Sequence, residues 1–270
     1  MPISAHNAPL PDEKLVELMH FANRLADAAA TVTLASFRTA VDVDYKIKGD
    51  DHFDPVTEAD RNAEKAIRTL IEEKYPQHAI LGEEFGHKKN DSPFEWVLDP
   101  IDGTRAFISG LPTWGTLIAL TYHGTPIIGI IDQPYMGERF AGSRLGATLN
   151  GSPIQTRKCQ GLETATLAST DPGLFEGNEL AAFNQMLAAT RLVRYGLDCY
   201  AYAVLSTGFI DIVLESGLKP YDMMALIPVI QGAGGVAVNW HGGTAGPDGR
   251  LLALGDPALL SPALQVLKNA

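Results

Sequence analysis

Four β-like runs follow one another at 115–122, 126–131, 138–142 and 147–149, with little but turn residues between them. Strands separated only by turn residues pair with their sequence neighbours as hairpins, so the first half of the chain is expected to hold a mostly antiparallel sheet. Helices of amphipathic pattern precede it. Over 12–37, Leu15, Leu18, Phe21, Ala22, Leu25, Ala29, Val32 and Leu34 recur near helical period. Over 57–75, Thr57-Glu58-Ala59-Asp60 resembles a capping start, and Ala63, Ala66, Ile67, Leu70 and Ile71 form the stripe. Short strands are expected at 79–81 and 96–98. After about Gln155 the pattern changes to strands at 165–168, 192–195, 210–214 and 235–239, alternating with helices at 174–190, 200–206, 222–232 and 258–267. No repeat or low-complexity tract separates the halves. Residues 1–155 are therefore expected to form an α+β half that carries metal-binding motifs, and 156–270 an α/β half that completes the same site.

A chain of 270 residues can bury roughly three-quarters of its unfolded surface, enough for two intimate halves. No apolar run approaches the ~18 residues that span a bilayer. The first dozen residues lack a basic segment followed by an apolar one, and two cysteines make no disulfide framework, so a reducing cytoplasm is expected. A net charge of −11 disfavours nucleic acid as a partner, because phosphate backbones demand clustered Lys and Arg. A small phosphorylated substrate stays open, since bound cations reverse the local field.

Asp99-Pro100-Ile101-Asp102-Gly103-Thr104 follows the apolar Trp96-Val97-Leu98 and reads as a strand end opening into a tight turn. Two carboxylates three residues apart at such an end are able to face one space, with the backbone N–H groups and hydroxyl of Gly103-Thr104 turned toward it. Oxygen-only ligands suit a hard cation such as Mg²⁺, and amides at a helix start suit a phosphate. Further carboxylates stand at Gly82-Glu83-Glu84, at Tyr221-Asp222, and along Asp54-Pro55-Val56-Thr57-Glu58-Ala59-Asp60, read as a loop and helix start. Singly, Asp60 and Asp222 are explained as helix N-terminal acids and Glu83 or Glu84 as a solvated acid. Together with the 99–104 turn they describe a Mg²⁺-dependent phosphoester site. No His-Glu-x-x-His, Gly-x-Ser-x-Gly or Walker pattern offers another chemistry.

These segments, in this order and with Asn150-Gly151 and Gly232-Ala233-Gly234-Gly235, resemble the inositol monophosphatase family of Mg²⁺-dependent, lithium-sensitive sugar phosphatases. The resemblance implies a five-layered αβαβα sandwich, two to three Mg²⁺ ions, inhibition by Li⁺ and a homodimer. It implies that Glu83, Asp99 and the Ile101 carbonyl hold the first ion, and that Asp99, Asp102 and Asp222 hold the second. A third, weaker ion is implied near Glu83. Asp60 and Thr104 would orient or deprotonate the attacking water, and the amides of Gly103 and Thr104 would cradle phosphate. The usual Trp-Asp before the second-metal ligand is Tyr221-Asp222 here, which changes its packing but keeps its carboxylate.

The wall opposite the metals is expected from 195–202 and 210–217. The inositol-specific branch has a small neutral residue where Asp198 stands. Asp198 and Glu215 would offer two anions, which suits a cationic amine better than a neutral polyol. The alternative for Asp198 is a helix cap. Residues 105–120, 131–135 with 138–140, 198–202 and 218–222 resemble the histidinol-phosphate phosphatase branch, whose substrate carries an amine beside its phosphate ester. An inositol-1-phosphate phosphatase or broad-specificity sugar phosphatase is the alternative. Arg105 would help hold phosphate or pair with a nearby acid. Tyr135, Tyr200, Tyr202 and Trp114 are candidates to stack on an imidazole, and the charged 84–93 segment reads as a loop beside the site.

Overall fold

The computed structural model describes residues 10–39, 43–48, 52–246 and 248–268. Helix α1 (Asp12–Ser36) buries Leu15, Leu18, Phe21, Ala22, Leu25, Ala26 and Ala29 along one stripe, as the spacing predicts. After a hairpin of β1 (Val43–Lys48) and β2 (His52–Thr57) comes α2 (Glu58–Lys74), which packs beside α1. Residues 54–57, expected as loop, are the end of β2. Their side chains lie outside the described residues.

The first sheet comprises β3 (Ala79–Gly82), β4 (Gly86–Lys88), β5 (Phe94–Asp102), β6 (Gly115–Tyr122), β7 (Thr125–Gln133), β8 (Glu138–Ser143), β9 (Gly146–Leu149) and β10 (Ser152–Pro153). Its order is β10-β9-β8-β7-β6-β5-β3-β4, antiparallel except for β3 beside β5. A short helix, α3 (Thr104–Ile108), follows β5. Part of the expected 84–93 loop is β4, paired antiparallel with β3.

The second sheet contains β11 (Thr166–Ser169), β12 (Leu192–Tyr195), β13 (Ile212–Glu215), β14 (Val236–Val238) and β15 (Leu251–Leu254), in the order β12-β11-β13-β15-β14. Between the sheets lie α5 (Tyr200–Ser206), α6 (Pro220–Met223) and α7 (Leu226–Gly232); α4 (Gly177–Ala189) and α8 (Leu260–Lys268) cover the outer face. Side-chain alternation assigns the layers. Leu117 and Ala119 of β6 enter the central core with Ala203, Ile230 and Val213, whereas Ile118 and Leu120 face α1 and α2. Ile212 and Leu214 turn outward to Phe183, Met186 and Ala263. The result is an αβαβα sandwich of five layers.

Two elements differ from expectation for identifiable reasons. Leu251-Leu252-Ala253-Leu254 is uniformly apolar and fully buried as β15, and a short run without alternation gives no strand signal of its own. The helix expected over 222–232 is two helices broken at Met224-Ala225. Pro228 lacks an N–H and its ring crowds the carbonyl four residues back, at Met224, so one continuous helix is unavailable.

The middle layer sits close against the first sheet. A Cβ added to Gly129 would lie 1.9 Å from the Ala225 carbonyl oxygen, and one on Gly142 would lie 2.3 Å from the Val229 Cα. Gly129→Ala is therefore expected to destabilise the protein by at least ~2 kcal/mol, read as a lower urea midpoint at unchanged slope. An unchanged midpoint would mean that the helix layer lifts freely from the strands.

Candidate active site

In a regular strand, residues three apart point to opposite faces, so Asp99 and Asp102 should diverge. The β5–β6 pairing resolves this. Asp99 pairs with Leu117 and Asp102 with Gly115, so two residues of β5 oppose the single Thr116. This bulge at Pro100-Ile101, held by the Thr116 hydroxyl donating to the Pro100 carbonyl at 2.7 Å, swings Asp102 back to the side of Asp99. Oxygens of Asp99, Asp102 and Asp222 then lie within 4.8 Å of one another. Asp222 comes from the first turn of α6, where its Oδ2 accepts the Lys219 N–H at 2.6 Å.

Asp60 and Thr104 both reach the backbone of Ile101. The Ile101 N–H donates to the Asp60 carboxylate, and the Thr104 hydroxyl donates to the Ile101 carbonyl at 3.1 Å. Glu83 follows β3, its N–H donating to the Leu98 carbonyl at 3.2 Å, which continues the pairing with β5 up to Asp99. Burial pushes the Asp60 and Asp99 carboxyls well above the usual range, and Glu83 is the leading charged contributor to both. Burial and then Asp198 raise Asp102, against the Cys199 N–H that donates to its Oδ2 at 2.7 Å. Burial pushes Asp222 up to about 6.

On the other side, Gly103 takes a left-handed φ of 82°, and a Cβ there would crowd the Asp198 side chain at 3.0 Å. Asp198 is itself left-handed at φ 47°, and burial raises it to about 6 while Arg105 opposes the rise. Glu215, at the end of β13, is raised to about 7 by burial; the Thr170 N–H donating at 2.6 Å lowers it and Asp198 raises it further. Arg105 stands on the exposed rim, 3.8 Å from Asp171.

The structure thus gathers Asp60, Glu83, Asp99, Ile101, Asp102, Gly103, Thr104, Asp198 and Asp222 around one bulge, with Glu215 behind Asp198 and Arg105 at the edge. Two of the aromatic candidates have no free face. Trp114 is fully buried against Phe37 and Phe107, and Tyr202 is 3% exposed. The Tyr200 hydroxyl donates to Glu138 at 2.7 Å, and Tyr135 is exposed but packs its ring on Phe37 beside Arg38. Sequence reasoning missed the buried Glu64 and the half-buried Arg68 beneath the Glu83 turn; their only signal is the four-residue spacing 60, 64, 68 along α2. The donor set suits a hard cation. It is all oxygen, and the buried Asp99 Oδ1 has no hydrogen-bond partner.

The family model described as the inositol monophosphatase family matches residues 14–267. The chain belongs to this family. It is a phosphoric monoester hydrolase, and the family is generally Mg²⁺-dependent. Among curated relatives, the bifunctional phosphatase IMPL2 of Arabidopsis thaliana is 47% identical over 236 residues, covering 86% of this chain and 67% of its own. A histidinol-phosphatase of Chlorobaculum parvum is 35% identical over 244 residues, covering 89% and 93%. Among solved structures, an inositol monophosphatase from Zymomonas mobilis superposes with a TM-score of 0.87 at 41% identity, covering 96% of this chain and all of the other. No helix among the described residues is long and apolar enough to cross a membrane.

Proposed function

We propose that this family member hydrolyses L-histidinol phosphate to histidinol and phosphate, as a cytoplasmic, homodimeric enzyme of histidine biosynthesis. Glu83, Asp99 and the Ile101 carbonyl would hold one Mg²⁺, and Asp99, Asp102 and Asp222 a second, with a third, weaker ion near Glu83 and Li⁺ as an inhibitor. When bound, the ions make water acidic enough to attack and offset charge on the leaving oxygen. The chain's own groups supply the rest. Asp60 and Thr104, tied to the N–H and the carbonyl of the same residue, Ile101, orient the water. Gly103 and Thr104 present the turn to the phosphate.

The observation that carries the substrate is Asp198, a largely buried acid in contact with Gly103 and electrostatically linked to Glu215. A neutral polyol would only donate hydroxyl hydrogen bonds to two carboxylates there, whereas an ammonium group would also pair with their charge. The relative named histidinol-phosphatase supports this reading. Likeness to the Zymomonas mobilis inositol monophosphatase favours the second reading, an inositol-1-phosphate or broad-specificity sugar phosphatase.

A substrate panel with and without Mg²⁺ separates the two. Histidinol phosphate is expected to give much the higher kcat/KM, and equal values for inositol 1-phosphate would reject the narrower assignment. Asp198→Ala should raise KM for the amine-bearing ester roughly 10- to 100-fold, the worth of one charged hydrogen bond, and leave the neutral ester nearly unchanged. Equal responses would make Asp198 a structural residue.

A further inference from the structure

We propose that Glu64 and Arg68 of α2 are a positioning pair that fixes the turn carrying Glu83 and thereby sets the affinity of the site for Mg²⁺; the inference rests on the metal-dependent phosphatase reading. Glu64 is fully buried. Its Oε2 accepts the Glu84 N–H at 2.8 Å, and its Oε1 accepts the Phe85 N–H at 3.2 Å and the Arg68 Nε–H at 2.7 Å. Arg68 also donates to the Gly86 carbonyl, so the pair grips the turn by both its N–H groups and its far end. The near end closes on the same carboxylate. A Cβ on Gly82 would lie 2.0 Å from the Glu64 Oε1, which leaves glycine as the residue that fits.

Glu83 therefore sits between two residues that are both seated on Glu64. Asp60 lies one helical turn before Glu64 on α2, so a single helix face sets Asp60 and the Glu83 turn together. A buried ion pair is a poor way to gain stability, because desolvation offsets most of its attraction. Its use here is geometric: a carboxylate is the side chain that accepts several converging N–H groups at once. Groups that orient metal ligands in this way commonly change affinity by about 10- to 100-fold when altered.

The test is calorimetric titration with Mg²⁺ alone, without substrate, alongside amide hydrogen exchange at Glu84 and Phe85. E64Q turns an amide NH₂ toward a backbone N–H and leaves Arg68 without its counter-charge, so E64Q/R68M, which removes both charges, guards against simple unfolding. G82A pushes the turn off an intact pair. In the variants that keep the native circular dichroism spectrum, Mg²⁺ is expected to bind about 10-fold more weakly or worse, with faster exchange at both amides. D211N breaks a different ion pair, the exposed Arg157 on the buried Asp211 at 2.6 Å, and is expected to keep its Mg²⁺ affinity. Affinities within twofold of wild type in the Glu64 and Gly82 variants, or an equal loss in D211N, would overturn the positioning role alone. A wild-type chain that binds no Mg²⁺ would overturn the metal-dependent reading of the site and this inference with it.

Discussion

Asp99→Asn is expected to lower kcat on any phosphate ester by ~10³-fold or more, about 4 kcal/mol of activation free energy, while making the metal-free protein more stable at pH 8. The two effects share one cause. Asp99 is 2% exposed, and burial, Glu83, Asp102, Asp222 and Asp60 all disfavour its ionised form. A carboxamide of the same shape removes that conflict and also removes the ligand proposed to be shared by both ions. Residues of this kind trade stability for function, so loss of one with gain of the other marks a functional carboxylate. Wild-type turnover in the variant would contradict the bridging role. Lost turnover with a lower metal-free Tm would show that Asp99 holds the fold instead.

The stabilisation conferred by Mg²⁺ is expected to grow with pH. Burial raises Asp198 and Asp222 to about 6 and Glu215 to about 7, with Asp60, Asp99 and Asp102 higher than their usual range. A carboxyl raised on folding favours the folded state fully below its unfolded pKa, and this contribution is lost as pH rises through the folded value. The metal-free protein should therefore weaken between pH ~4 and pH ~7. A carboxyl moved from about 4 to about 6 accounts for about 3 kcal/mol, although these neighbours titrate together and do not sum. Cations replace the protons, so added Mg²⁺ should shift Tm little at pH 5 and by at least ~5 °C at pH 8. Thermal melts with EDTA or excess Mg²⁺ across this range decide it. The same shift at every pH would separate metal binding from the buried acids.

The site was legible in the sequence where chemistry dictates residue type. Asp99 and Asp102 are oxygen donors that no helix or strand requires, Asp222 also caps the start of α6, and the structure brings the oxygens of all three together. What could not be read was how they converge. The bulge at Pro100-Ile101 is a backbone event, and a proline in a strand is compatible with an edge, an end or a bulge alike. Glu64 and Arg68 were invisible because acid–base pairs four residues apart usually decorate a solvated helix face; only burial beneath the Gly82–Gly86 turn distinguishes this one. In the fold, β-like runs bounded by turns marked β6 and β12 and a helical period marked α1 closely, whereas β15 has no period and the α6–α7 break depends on a proline acting four residues upstream.

The touch between Gly103 and Asp198 has a consequence for how such an enzyme changes its diet. The residue proposed to select the alcohol leans on the turn that carries a proposed cation ligand, so closely that even a methyl group on Gly103 would crowd it at 3.0 Å. A larger replacement at position 198 would press on that turn and cost chemistry along with selectivity. New preferences are therefore reached by trimming or recharging this side chain, and the scaffold drifts among esters of different charge more readily than toward bulkier ones.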